Sequence, residues 1–397
     1  MSTGIVQHAF NDFHDFTLVI PTYNRPELLA KLLNYCAKWL PKIIVLDSSS
    51  TDIVELNSIH IAKKNIEIKH LIFDTNINIA AKLFEGLSVI KTDYFSFCAD
   101  DDVIFQIGLL SALRYIRSSS ECVGVDGLYM NFNTNASEVY VGVEYAGGGF
   151  EESNPISRLC RMLQNYESRF YGVYRAKEAL KVFEYLVRLE SLHFQELMQS
   201  SAIVLLGKVH RLPVFYAARQ QCIPADLKRE KWQTYYWFAE NPSEFFEHYL
   251  AYRTTLADFY LEYGVNSSVG VMEFFRAVDI AHSVFFSKNC PNAYLLDQVK
   301  SFCKINSIDQ KTTDNLLQEF KSPFRLKVER KIRRMTEFVN IVVGSLPMPW
   351  HLYSLNREVR SRGRIGFRCV PAKRNAWILG HVQFRSAFHE LCNYLES

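Results

Sequence analysis

The nine cysteines of this 397-residue sequence are scattered singly from Cys36 to Cys392, without one CxxC pair. An odd, unpatterned set argues against a disulfide framework and a zinc site, and points to free thiols in a reducing compartment. No apolar run reaches the roughly 20 residues that span a bilayer. The opening stretch, MSTGIVQHAFNDFHDF, has neither the basic region nor the apolar core of a secretory signal, so a cytoplasmic location is expected. Internal repeats and low-complexity tracts are absent as well. Acids are scarce in one region. Between Lys321 and Arg374 there are 14 Lys and Arg against three acids in a chain of net charge +3, so the remainder is net acidic. A basic stretch of this kind suits an anionic partner.

What is present has the texture of a soluble globular protein, with 48% hydrophobic and 22% charged residues. The first third alternates. FTLVIPT, KIIVLD, IEIKHLIFD and DYFSFCA read as strands, and NRPELLAKLLNYCAKWL, STDIVELNSIHIAKK and NIAAKLFEGLSVIK read as helices between them. Pro26 fits a first helical position behind Asn24 or Arg25, and Ser50 or Thr51 can cap the second helix. Strands separated by helices of about 10–15 residues predict a parallel, doubly wound α/β sheet. CVGVDGLYMNF follows as a fifth strand, EYAGGGFEESNP as a mobile loop, and the stretch to Gln220 as strand, helix, helix and strand. From about Asp226 long aromatic-rich helical stretches take over. The expected division is an α/β domain over 1–225 and a mostly α-helical C-terminal region over 226–397, containing the basic segment 321–374.

Ligands of such sheets bind beyond the carboxyl ends of the strands. Three polar clusters fall there: PTYNR, DSSSTD, and the triple aspartate of FSFCADDDVIF. Adjacent carboxylates repel and are costly to desolvate, whereas a hard Mg²⁺ or Mn²⁺ relieves both problems. Held by one or two carboxylates, it keeps positions open for a diphosphate and can neutralise a departing nucleotide. A solvated acidic turn is the plain alternative; a calcium loop is not, for the spaced acids and glycine of an EF-hand are missing. Asp47 can accept hydrogen bonds from a ligand or cap the helix after it.

LVIPTYNRPELLAKLL, IIVLDSSSTD, NINIAAKLFEGL and FSFCADDDVIF, in this order and spacing, resemble the nucleotide-sugar glycosyltransferases of the GT-A fold, most closely the family 2 type and its bacterial relatives. The resemblance covers roughly residues 16–220. It implies a nucleotide-diphosphate sugar donor, a divalent metal (Mn²⁺ or Mg²⁺), and direct displacement by an acceptor hydroxyl with inversion. Carried over by position, Pro21, Thr22, Tyr23 and Arg25 border the nucleoside and Asp47 contacts the base. Leu46 stands where the family often has a first acid. Asn76 and Asn78 occupy an asparagine–x–glycine turn whose glycine is replaced. Lys82 reaches a phosphate, although the usual basic position falls at Leu83. Asp100 lies near the ribose, and Asp101 or Asp102 ligates the metal.

The base that takes the acceptor's proton is expected at the start of a later helix, where LESLHFQELMQSSA offers Glu190, His193 and Glu196. Glu196 matches the family position best and His193 is second. Arg211 or Arg219 approaches the diphosphate, and Gly147–Gly149 lend flexibility to an acceptor loop. The expected function is sugar transfer to a saccharide or lipid-linked saccharide in bacterial surface-polysaccharide assembly. The segment 321–374 is either a peripheral contact with the inner face of the plasma membrane or a helix packed on the catalytic domain. Nucleic acid is not expected as a partner. A nucleotidyltransferase is a weaker reading, because PTYNRPE has no glycine, and a non-catalytic nucleotide- or saccharide-binding relative is the reading from another class.

Overall fold

The computed structural model describes residues 12–134, 138–143, 147–164, 166–220, 241–264, 270–289, 366–369 and 374–397. Its centre is four parallel strands, β1 (Phe16–Thr22), β2 (Lys42–Asp47), β3 (Glu67–Ile72) and β4 (Tyr94–Phe97), side by side in the order β3-β2-β1-β4. The links are α1 (Pro26–Cys36), α2 (Thr51–Ala62) and α3 (Ile79–Ser88). Pro26 opens α1, where its missing N–H removes no helical bond. β1 lies inside the sheet and buries Phe16, Leu18, Val19 and Ile20 together, so it is continuously apolar rather than alternating. β3 is the edge and carries charged and polar residues along its length.

The rest of the sheet is mixed rather than parallel throughout. β8 (Val173–Arg175) is antiparallel to both β4 and β6 (Cys122–Thr134). β7 (Glu138–Val143) returns antiparallel beside β6, because a connection this short cannot make the crossover that parallel pairing needs. β9 (Lys208–Gln220) runs parallel to β6 and pairs antiparallel with the two-residue β5 (Val103–Ile104). Helices α4 (Gln106–Ser118), α5 (Pro155–Gln164), α6 (Ala176–Leu186) and α7 (Leu192–Leu206) pack around this half.

Beyond residue 240 come α8 (Pro242–Tyr263), α9 (Val271–Asn289), β10 (Gly366–Cys369) and α10 (Arg374–Leu395). They share the core of the sheet. Phe194 of α7 stacks on Tyr252 of α8 with centroids 5.4 Å apart, and Phe215 of β9 meets Phe384 of α10 at 5.8 Å. β10 extends the sheet beside β7 in parallel, a strand not anticipated in the helical region. The boundary placed near 225 and nearly all of the basic segment 321–374 lie outside the described residues. Among the described residues, no helix is long and apolar enough to cross a membrane, and Cys36, Cys98, Cys122, Cys160 and Cys392 are free thiols.

Candidate active site

The turn after β1 and the turn after β2 are tied to each other. Asn24 has a left-handed backbone (φ 53°), the sole non-glycine residue with positive φ among the described residues. Such a conformation persists where the surroundings fix it. Here its N–H donates to Ser49 Oγ at 2.8 Å, and its Oδ1 accepts the Ser50 N–H at 2.9 Å. The bend turns Arg25 towards the acids at the end of β4. Arg25 Nη1 lies 2.7 Å from Asp101 Oδ2 and 3.2 Å from Asp100 Oδ1, while Thr22 Oγ1 donates to Asp100 Oδ2 at 2.7 Å. Three of the residues expected to border a donor therefore meet at one corner. Pro21 lies at the end of β1 and Tyr23, which is exposed, begins the turn after it.

Each aspartate has a different setting. Burial raises the Asp100 carboxyl above its ordinary value, against the opposing effect of Thr22 and Arg25. Asp101 reaches the surface beside Arg25. Asp102 is buried; the Tyr171 hydroxyl donates to its Oδ2, the Gln220 N–H donates to its Oδ1 at 2.8 Å, and Arg219 Nε stands 3.9 Å away. Desolvation, joined by the negative charge of Asp101, pushes the Asp102 carboxyl up to about 7.

Tyr171 and Arg219 lead from this corner into a cavity of about 270 Å³ that Glu196 also lines. Glu196 is exposed and accepts a 3.0 Å hydrogen bond from the Tyr166 hydroxyl. His193 is half-buried on the same helix and is not among the residues lining the cavity, and Glu190 is exposed ahead of that helix.

Several expected positions serve the scaffold. Asp47 has no solvent exposure. Its Oδ1 accepts the Ser49 N–H at 2.9 Å, and its Oδ2 accepts Asn57 Nδ2 at 2.8 Å and pairs with His70 Nε2 at 3.0 Å. Burial works to raise its pKa, yet the hydrogen bonds from His70, Ser49 and Asn57 outweigh it and hold the carboxyl well below the usual range. A carboxylate so enclosed holds its neighbours in place and does not itself face solvent. Lys82 is 3% exposed rather than solvated, and its Nζ donates to Thr22 O at 2.9 Å and Ser48 Oγ at 2.8 Å, bridging the ends of β1 and β2. Burial lowers its pKa to about 8, opposed by the charges of Asp47 and Asp100. Asn76 is exposed in the turn before α3 and Asn78 caps α3, accepting the Ala80 N–H at 2.8 Å. With φ −61° at Asn78, a glycine is not required there.

Two expectations are corrected. Arg211 does not approach the acidic corner: it is buried on Asp126, with Nε to Oδ1 at 2.9 Å, and also pairs with Glu167. Gly147–Gly149 are tied down rather than free. Gly147 N donates to Glu167 Oε1 at 3.1 Å, and a Cβ on Gly149 would lie 2.6 Å from Val209 O. Close backbone approach, not hinge freedom, requires glycine at 149. Ser49, Asn57, His70 and Tyr171 are site residues that the sequence reading does not single out, and Asn24 enters it only as a residue ahead of Pro26. Only Asn24 carried a signal, as the residue type that best tolerates a left-handed turn.

Residues 17–155 match the model of a family described as Glycosyl transferase family 2. Similar solved structures include S. aureus TarS 1-349 in complex with UDP-GlcNAc, 14% identical with TM-score 0.47, covering 75% of this chain and 82% of that one. A second structure of S. aureus TarS is 14% identical with TM-score 0.43, covering 75% of this chain and 50% of that one. The mannosyltransferase PcManGT from Pyrobaculum calidifontis in complex with GDP-Man and Mn²⁺ is 10% identical with TM-score 0.43, covering 78% of this chain and 82% of that one. A search of curated proteins found no match. With its parallel core, its strand-end site and its family match, the segment 17–155 is a Glycosyl transferase family 2 domain of α/β fold.

Proposed function

We propose that the chain moves a sugar from a nucleoside-diphosphate donor at the ends of β1, β2 and β4 to a saccharide hydroxyl in the adjoining cavity. One observation supports this reading: the acidic corner and the cavity adjoin through shared residues. Thr22 and Arg25 reach Asp100 and Asp101, and Tyr171 and Arg219, the partners of Asp102, line the cavity that contains Glu196.

Pro21, Thr22, Tyr23 and Arg25 border the nucleoside, and Lys82, Asp47 and the Asn76 turn fix the strand ends on which it rests. Glu196 takes the acceptor's proton as its oxygen bonds to the anomeric carbon, with His193 as the second choice. The bond from that carbon to the diphosphate breaks on the opposite face, so the sugar inverts. Arg219 faces the departing charge.

The acidic corner carries the carboxylates of Asp100, Asp101 and Asp102, and carboxylate oxygens are the ligands a hard Mg²⁺ or Mn²⁺ takes. Among the described residues no three acids, histidines or cysteines are gathered for a closed cage. A cation sharing its shell with a diphosphate needs none, so the residues present fit. Asp101 and Asp102 would hold it, with Arg25 yielding its place on Asp101. Once bound, such a cation supplies Lewis-acid neutralisation of the leaving group. A role in bacterial surface-polysaccharide assembly, at the inner face of the plasma membrane through 321–374, completes the reading.

Thermal melting with a panel of nucleoside diphosphates and Mn²⁺ tests it, since a ligand that binds the folded state alone raises the midpoint. One nucleotide should stabilise the protein far more with Mn²⁺ than without. No shift with any nucleotide would refute the donor site.

A further inference from the structure

The cavity beside Asp102 is walled by Ile79, Leu83, Phe170, Phe183, Leu186 and Leu192. Where it meets solvent, apolar Ile79 (36% exposed) and Leu192 (44%) stand beside the exposed Glu196. Most of the cavity's buried polar donors are engaged within the protein. The Gln195 amide donates to Leu189 O at 2.6 Å and Asn78 Oδ1 at 3.2 Å, and the Gln199 amide donates to Arg169 O at 2.9 Å, which leaves Gln199 Oε1 as a buried acceptor without a partner. The Tyr171 hydroxyl donates to Asp102 and the Tyr129 hydroxyl to Tyr171 O. A plain hexose bristles with hydroxyls, and one pressed against such a wall loses its water without a partner. A methyl group gains there instead.

We propose that the cavity receives the methyl-bearing side of the acceptor sugar, so that the acceptor terminus is a 6-deoxyhexose or an N-acetylated amino sugar rather than a plain hexose. The two share one feature, a methyl group that the apolar wall buries while a neighbouring hydroxyl faces Glu196. The acceptor is assigned here, and not the donor sugar, because the group that takes the acceptor's proton lines the same cavity. This inference rests on the proposed sugar transfer and narrows its substrate class.

The test uses the full chain with Mn²⁺ and its stabilising nucleoside diphosphate. Saturation-transfer NMR compares methyl 6-deoxyhexosides and methyl N-acetylhexosaminides with matched methyl hexosides. One methyl-bearing class should bind at least tenfold more tightly than its match, with saturation strongest at the methyl protons; which class does so identifies the source. Ile79→Gln and Leu192→Gln, both at partly exposed positions, should bring the ratio below about threefold while leaving the nucleotide-induced melting shift unchanged. Equal binding, no binding of either set, or a preference that both variants preserve would overturn the inference. Failure of the nucleotide shift itself would instead strike the sugar-transfer reading.

Discussion

Glu390, near the C-terminus, accepts the backbone N–H of Gln106 at 2.5 Å, and its other oxygen accepts that of Ile107 at 3.3 Å. Phe105, the N-cap of α4, has no side-chain cap of its own, and the first turn holds no acid. The C-terminal helix therefore supplies the negative group that an N-terminus of a helix favours. It does so directly behind the acidic corner, because α4 begins just past Asp102, and Tyr35 of α1 donates to the same carboxylate at 2.9 Å.

Glu390→Ala should cost about 2–3 kcal/mol, since it removes a cap and leaves the buried Tyr35 hydroxyl without its acceptor. Urea unfolding measures this. Glu390→Gln, which keeps one acceptor oxygen, should lose less than half as much. An alanine variant as stable as the parent would show that α10 does not anchor α4.

Asp47 gives a prediction with a definite pH window. Its folded pKa is depressed, so the contribution is fully present above its ordinary value near 4 and is lost as pH falls through the lower folded value. Asp47→Asn should cost about 1–3 kcal/mol at neutral pH, constant between pH 6 and 8 and shrinking only below about pH 4. A penalty that vanished already at pH 6 would contradict the buried hydrogen-bond set.

Lys82 follows the same sign in a higher window. With a folded pKa of about 8, below the ordinary lysine value, the unfolded chain holds more protons between about pH 8 and 10. Stability of the parent relative to Lys82→Met should therefore rise across that window. A flat difference from pH 7 to 10 would place the amine in water.

Arg25 neutralises two of the three aspartates without being buried itself. Arg25→Gln should leave stability nearly unchanged, within about 1 kcal/mol for a half-exposed pair, yet weaken binding of the stabilising nucleoside diphosphate by roughly tenfold. Titration calorimetry separates the two effects; unaltered affinity would remove Arg25 from the donor site.

The parallel half of the fold was legible because its strands are apolar runs broken by helices with clear starts, Pro26 and Asn78 among them. The other half was less so. β5 is two residues long and β8 three, too short for any periodicity, and β10 sits within a stretch whose composition reads as helical. At the site, the acids and Arg25 were visible as residue types at strand ends. Their directions were not. Asp47 faces inward because Asn57 and His70, from two other elements, converge on it, and Lys82 is buried because it bridges two strand ends. Side-chain orientation of that kind depends on neighbours distant in sequence. So does the burial of Arg211 against Asp126, 85 positions away.

The most direct measurement is the release of nucleoside diphosphate from a sugar nucleotide with Mn²⁺, comparing the parent with Asp101→Ala/Asp102→Ala. The parent should release it measurably even without acceptor, and the double variant should be slower by at least 100-fold while keeping its circular dichroism. Equal release by both proteins, or none by the parent with any sugar nucleotide, would contradict sugar transfer at the acidic corner.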